Sequence, residues 1–432
     1  MAIPRTQPYS GPAILSYGLR PFFLLGAFYA AISILLWLPI LTGLLALPST
    51  FTPRDWHVHE MLYGYLPAVI AGYLLASIPN WTGRFPLLGR PLLVLVAVWI
   101  AGRVAVSTSA WIGWTLAGAI DLAFLGLLGA AVAREVIAGR NWRNLKFLGI
   151  LAALFLGNLS FHLEAHAWSF ADYGTRIGMA AIVLLVMLVG GRIVPSFTRN
   201  WLARENPGRL PAPSGWFDAV SMAVGASALT IWVAAPDALV TGALLVCAGL
   251  LQAVRLARWA GDRTLREPII LILHLAFAFI PLGFVLVGLA AFSVDITASA
   301  GIHAWSGGAF GAMTLAVMSR IGLSHVRRPT VASPGLQAIY ALVIVAALAR
   351  IAAALNAGDA MLLLTIAALC WSAAFLGFCV NFWGMFTKER HGDRRVAERI
   401  AKPPPAIEAP ARSFTAAAAA PPEDPSVRTS QG

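Results

Sequence analysis

Residues 22–46, FFLLGAFYAAISILLWLPILTGLLA, hold no charged side chain and begin just past Arg20. In hydrocarbon every backbone N–H and C=O must be satisfied within the chain, and about 20 helical residues cross a core of about 30 Å. The run is too long for the apolar segment of a cleavable leader and reads as a first membrane-spanning helix. Eleven further stretches read the same way, giving spans at 22–46, 58–79, 91–107, 111–133, 147–166, 173–197, 215–234, 238–254, 267–291, 297–319, 334–355 and 359–386. The connections near Pro236 and Gly358 are very short and imply tight antiparallel hairpins. The expected fold class is an all-α integral membrane protein of about twelve transmembrane helices.

Composition and charge placement test that expectation. Of 432 residues, 59% are hydrophobic and 12% are charged, against about 25% charged in soluble domains. A chain wetted on all sides needs more charge than this; a chain solvated by lipid does not. The net charge of +12 is not a nucleic-acid footprint, because the basic residues lie in short loops on one side. With the N-terminus inside, the inner loops carry Arg5 and Arg20, Arg84 and Arg90, Arg134, Arg140, Arg143 and Lys146, Arg199, Arg204 and Arg209, Arg255, Arg258, Arg263 and Arg266, and Arg320, Arg327 and Arg328. Outside fall only Arg54, Arg176 and Arg350, while Arg103 and Arg192 lie within spans. Cytoplasmic loops collect Lys and Arg, and one helix too many or too few would invert the side of every later loop. The alternation supports twelve spans with both termini inside.

Residues 1–386 form the transmembrane domain in this reading. Residues 387–432 are basic and then Pro/Ala-rich, and are expected to be a disordered cytoplasmic tail. Spans two, six and ten end in related text (Ile78-Pro79-Asn80-Trp81-Thr82, Val194-Pro195-Ser196-Phe197-Thr198, Val317-Met318-Ser319-Arg320), which suggests three pseudo-repeats of four helices. Cys247, Cys370 and Cys379 sit in apolar runs and read as small buried hydrophobes. No CxxCH occurs, which excludes covalent c-type haem.

Five of eight histidines fall near the outer face. His57 and His59 start span two, His162 and His166 end span five, and His303 lies about a turn into span ten, while His274, His325 and His391 lie toward the inner side. One such histidine is ordinarily an interfacial residue with its tip in water; five at one level, from three separate segments, form a candidate metal set. His162 and His166 are i and i+4 and share a helix face. His57 and His59 would diverge by about 200° on a helix, so His59 is expected to face the bundle and His57 to lie in the preceding loop. Glu60 is placed to orient a histidine through its second ring nitrogen, and Asp121 is a buried charge in span four. Arg103 and Arg192 either neutralise buried charge or pair with an anion such as a haem propionate. Trp56, Trp81, Trp111, Trp114, Trp201 and Trp305 read as an interfacial aromatic belt. All-histidine ligation suits copper, zinc or haem iron.

These residues also carry a family resemblance. Trp56-His57-Val58-His59-Glu60-Met61-Leu62-Tyr63-Gly64-Tyr65 resembles the hallmark segment of NnrS proteins, as do residues 78–83, 190–201, 303–305 and 311–318, over roughly residues 15–385. The resemblance implies a multi-pass protein of the bacterial inner (cytoplasmic) membrane that contains non-covalent haem b and copper. It also implies a link to denitrification or the nitric oxide response. It assigns neither a reaction nor an electron donor. The layout is similar, more distantly, to the twelve-helix core of haem-copper oxidases, which carries histidine ligands on helices two and ten, the spans of His59 and His303. This chain departs in having no adjacent His-His pair and no histidine in span six, which argues against a buried copper centre of the oxidase type.

The sequence thus points first to a haem/copper protein that relieves nitric oxide or nitrosative stress through histidine-ligated cofactors. His59 and His303, with Arg103 and Arg192, are the haem candidates. His57, His59, His162, His166 and His303 are the metal candidates. A transporter of haem, metal or a metal–nitrosyl species is the alternative, with Pro79 and Pro195 as candidate helix breaks. A structural or assembly factor with merely interfacial histidines is the third reading.

Overall fold

The computed structural model describes residues 9–388; of the expected tail 387–432, Thr387 ends the last helix, and residues 389–432, His391 among them, lie outside the described residues, as does Arg5. Helices and their connections account for the described residues, with no strand among them. Twelve long helices can be traced: α1 (Leu19–Leu41), α2 (Pro53–Thr82), α3 (Arg90–Ser107), α4 (Trp114–Ala138), α5 (Leu145–Trp168), α6 (Asp172–Glu205), α7 (Trp216–Ala234), α8 (Leu239–Ala257), α9 (Pro268–Ala290), α10 (298–325), α11 (Pro334–Ala354) and α12 (Ala360–Thr387). Eleven of them are long and apolar enough to cross a membrane. The exception is α10, whose outer half contains His303, Ser306, Gly307 and Gly308 in place of aliphatic residues. It is a continuous helical run nonetheless, and Ala304, Trp305 and Ala309 to Met313 are buried.

Consecutive helices pack side by side as antiparallel neighbours, and α1 packs against α12 as well as α2, closing the arrangement. Buried share separates the inner helices from the outer ones. In α2, 83% of the apolar window is buried, against 39% in α1, α4 and α12. The helix bearing the densest polar text is therefore among the most deeply packed.

Local signals set the helix ends. Thr52 caps α2 by accepting from the Asp55 N–H at 3.2 Å, with Pro53 in the first turn where its missing N–H costs nothing. Gly83, at φ 71°, ends the same helix with its N–H on Pro79 O. Ser333 and Asp359 cap α11 and α12 in the same manner as Thr52. Both α2 and α6 run unbroken through Pro79 and Pro195. The irregularities lie elsewhere: π-helical turns at Glu60–Tyr65 in α2 and Ala304–Gly311 in α10, each starting one residue after a histidine. A π turn inserts an extra residue and rotates all later side chains by about 100° relative to a continuous α-helix.

Three expectations are corrected here. Trp56 and Trp305 are not belt residues: both are buried, and their indole N–H groups donate to Ser107 Oγ at 3.3 Å and Ile280 O at 3.1 Å. His57 is not in a loop, because α2 begins at Pro53, several residues earlier than the apolar run suggests. Cys247 is exposed on α8 and not buried.

Without a hydrophobic drive between helices, close backbone approach dominates packing in lipid. At the α8–α9 crossing a Cβ on Gly242 would lie 2.7 Å from Gly288 O, and one on Gly288 would lie 2.7 Å from Gly242 O. Gly288→Val is expected to destabilise the protein by roughly 1–3 kcal/mol, read as a lower midpoint of thermal unfolding in detergent; an unchanged midpoint would contradict this packing.

Candidate functional site

The helical start of α2 fixes where its histidines go. His57 and His59 diverge around the helix, and they enter two different environments. His59 turns inward to α4 and α5. Its Nε2 is 2.9 Å from Asn158 Oδ1 and 3.2 Å from Asp121 Oδ2, while its Nδ1 is 3.0 Å from Glu60 Oε1. His162 Nε2 meets the same Asp121 oxygen at 3.1 Å. Asn158 donates to Asp121 Oδ2 at 2.7 Å. Arg103 donates to Glu60 Oε2 at 2.8 Å and to Asp121 Oδ1, and Tyr29 donates to Glu60 Oε2. Every residue of this group except Tyr29 is almost fully buried.

Small residues make room for it. A Cβ on Gly64 would come within 2.4 Å of Arg103 Nη1, one on Gly102 within 3.1 Å of Asp121 Oδ1, and one on Gly118 within 3.3 Å of the His162 ring. Phe51 and Phe161 close the apolar side against His59.

One ligand atom from each of His59, Asp121 and His162 lies within 4.8 Å of the others. A tetrahedral ion with bonds of 2.0–2.1 Å requires ligand atoms roughly 3.4 Å apart, close to the 3.1 and 3.2 Å between Asp121 and the two imidazoles. Glu60 behind His59 fixes the ring through Nδ1. The charges also fit a cation: two carboxylates face one guanidinium, and an ion between the imidazoles and Asp121 would supply the missing positive charge.

His57 turns the other way. It stacks on Trp37 with ring centroids 4.3 Å apart, and its buried Nδ1 has no partner. It lines a cavity of about 500 Å³ together with His303, Arg54 and Arg350. That volume lies in the range of cofactor sites, about 300–1,000 Å³. Apart from these groups and a few hydroxyls the walls are mainly apolar, with Trp37 and Trp371 among them. The absence of a Cβ at Gly311 lets Trp371 close against α10. His303 Nδ1 is held by Ser299 O at 2.7 Å. That contact places the proton on Nδ1 and leaves the Nε2 lone pair available. Arg350 has no ion-pair or hydrogen-bond partner among the described residues, and Arg54 contacts Asp172 at 3.5 Å.

The five outer histidines are thus divided. His59 and His162 meet at Asp121, His57 and His303 share the cavity, and His166 joins neither. Although four residues from His162, His166 is exposed and stacks on Trp114 at 4.1 Å. Arg103 is paired through Nη1 with Glu60 and through Nη2 with Asp121, away from the His57/His303 cavity, and only its buried Nε lacks a partner, while Arg192 is exposed in the inner half of α6. Glu164, between His162 and His166, accepts from Tyr173 N at 2.7 Å and Gly174 N at 2.9 Å, a cap for α6. Asn158, Tyr29 and Arg350 were not among the sequence candidates. Arg350 had a visible signal, being one of three basic residues left on the outer side.

The family model described as NnrS protein matches residues 13–390. The chain belongs to the NnrS family. No curated protein matches it. It is accordingly a multi-pass membrane protein of the NnrS family with a buried His/Asp/His group able to hold a metal ion.

The polar group makes a direct forecast. Arg103→Ala leaves Glu60 and Asp121 buried without their guanidinium, and a broken buried pair costs about 3–5 kcal/mol. Chemical denaturation in detergent is expected to show a loss of that size; a change under ~1 kcal/mol, typical of an exposed pair, would contradict the arrangement.

Proposed function

We propose that this NnrS protein is a haem- and copper-binding protein of the bacterial inner membrane that protects against nitric oxide or nitrosative stress, with the two cofactors held apart. The cavity between α2 and α10 would hold the haem, with His57 and His303 as the residues to ligate its iron and Arg54 and Arg350 to pair with its carboxylates. The copper ion is held by His59, His162 and Asp121. The observation that carries the reading is the pair of imidazoles from different helices, each with an unpartnered ring nitrogen, on one large and mainly apolar cavity that also contains an unpaired arginine.

The residues divide the work. Trp37 and Ser299 hold the His57 and His303 rings in place, so the cavity is arranged before anything enters it. When bound, the haem supplies one-electron chemistry. His59, Asp121 and His162 would hold a metal ion with three protein ligands, the number that leaves a position for a small molecule. There Asp121 and Glu60 hold the imidazoles, and burial excludes water. The electron donor and the product are outside this reading. No helix break at Pro79 or Pro195 favours the transporter alternative.

Protein purified in detergent is expected to show a Soret band and bound copper. His57→Ala and His303→Ala should each abolish or strongly shift the Soret band and leave copper in place. His59→Ala and His162→Ala should each lower copper content at least tenfold, within the roughly 10–100-fold effects seen around metal sites, and leave the haem spectrum intact. His166→Ala should change neither. Protein with no Soret band and no copper refutes the proposal, and haem-free protein that moves haem or metal across vesicles supports transport instead.

A further inference from the structure

The group at His59, Asp121 and His162 is shut off from water. No part of His59 reaches the surface, and Asp121 and His162 are 2% and 4% exposed. An ion therefore needs a way in, and helices block most approaches. At Gly102 and Gly118 the backbones of α3 and α4 abut Asp121 and His162 so closely that a Cβ would press on them. Among the described residues, the aromatic side chains in ring contact with His59 or His162, apart from each other, are Tyr63, Phe161 and Phe51. Tyr63 belongs to α2 and Phe161 to α5, and both are fully buried. Phe51 belongs to no helix.

Phe51 lies in the connection from α1 to α2 and is half-buried, with one side toward the outer surface. Its ring centroid is 5.1 Å from that of His59 and 5.2 Å from that of His162, so a single side chain covers both imidazoles. The backbone around it is pinned to the turn between α3 and α4. Thr50 N donates to Ser109 Oγ at 2.8 Å, Ser49 Oγ donates to Val106 O at 2.9 Å, and Ala110 N donates to Pro48 O at 2.9 Å. On its other side Thr52 caps α2. An opening at Phe51 is thus a rotamer change of one side chain over a fixed backbone, whereas an opening anywhere else moves a packed helix, a much slower event.

We propose that Phe51 is the gate of this site: its ring swings aside to let a metal ion pass between the imidazoles and the outer surface, and covers them when closed. The gate presupposes the metal site proposed above. Phe51 offers no ligand atom, so it sets how fast an ion enters and leaves and not how tightly the ion is held.

Release of Cu(I) from the full chain in detergent, loaded and then mixed with an excess of a bulky sulfonated Cu(I) chelator, tests the gate through the colour of the chelate. Phe51→Ala is expected to release copper about tenfold or more faster than wild type, the change that a barrier lower by ~1.4 kcal/mol gives. Its loading rate should rise by the same factor and its copper content at equilibrium should be unchanged, because a gate acts alike in both directions. Phe51→Trp, whose larger ring still covers the imidazoles, should release no faster than wild type. Release from Phe51→Ala at the wild-type rate overturns the gate and leaves the metal site standing. Faster release with weaker binding also overturns it, since that marks a damaged site. Wild-type protein that binds no copper overturns the metal site and the gate with it. Circular dichroism on the same samples reports folding; if Phe51→Ala does not fold, Phe51→Leu is expected to release copper faster than wild type, and an unchanged rate there overturns the proposal.

Discussion

Two side chains two residues apart on a helix point nearly opposite ways, and the arrangement of this protein rests on that constraint at His57 and His59. Because Thr52 and Pro53 start α2 before His57, the chain cannot bring both imidazoles to one ion. One ring turns to α4 and α5, where Asp121, Asn158 and His162 wait for it; the other turns to a cavity shared with α10. The π turn that follows adds a further rotation, so Tyr63 and Tyr65 reach partners on α6 and α10.

Charge balance sets the character of the inner group. Glu60 and Asp121 are buried with a single guanidinium between them. In a low-dielectric interior an uncompensated carboxylate is costly. The group therefore calls for one more positive charge, and the two imidazoles facing Asp121 are where a proton or a metal ion can supply it. The cavity presents the opposite condition: a guanidinium on Arg350 without a carboxylate, and ring nitrogens without donors or acceptors. One site is poised for a cation and the other for a ligand that carries negative charge at one end.

The spans were legible because hydrocarbon demands long apolar helices, and each of the twelve stretches has its helix. The weakest of them, 297–319, is weak in composition for a reason: α10 spends its outer half on His303, Ser306 and glycines that border the cavity. Glu60 beside His59 was also readable, since a carboxylate next to an imidazole in a buried segment has few other uses. The division of the histidines was not. It follows from where α2 starts, a point marked by Thr52-Pro53-Arg54-Asp55 and not by the apolar run, which begins five residues later. Asn158 and Tyr29 are uncharged and fit the background of any apolar helix, so only the fold brings them to Asp121 and Glu60. The π turns at Glu60 and Ala304 have no sequence signature to read, yet they stand after the histidines of spans two and ten.

A cryo-electron microscopy map of the protein purified with its cofactors tests the separation of the two sites most directly. The account predicts flat, continuous density between His57 and His303 and a separate compact peak among His59, Asp121 and His162. A single centre bound by both His57 and His59, or density at neither place in protein that carries haem and copper, would contradict it.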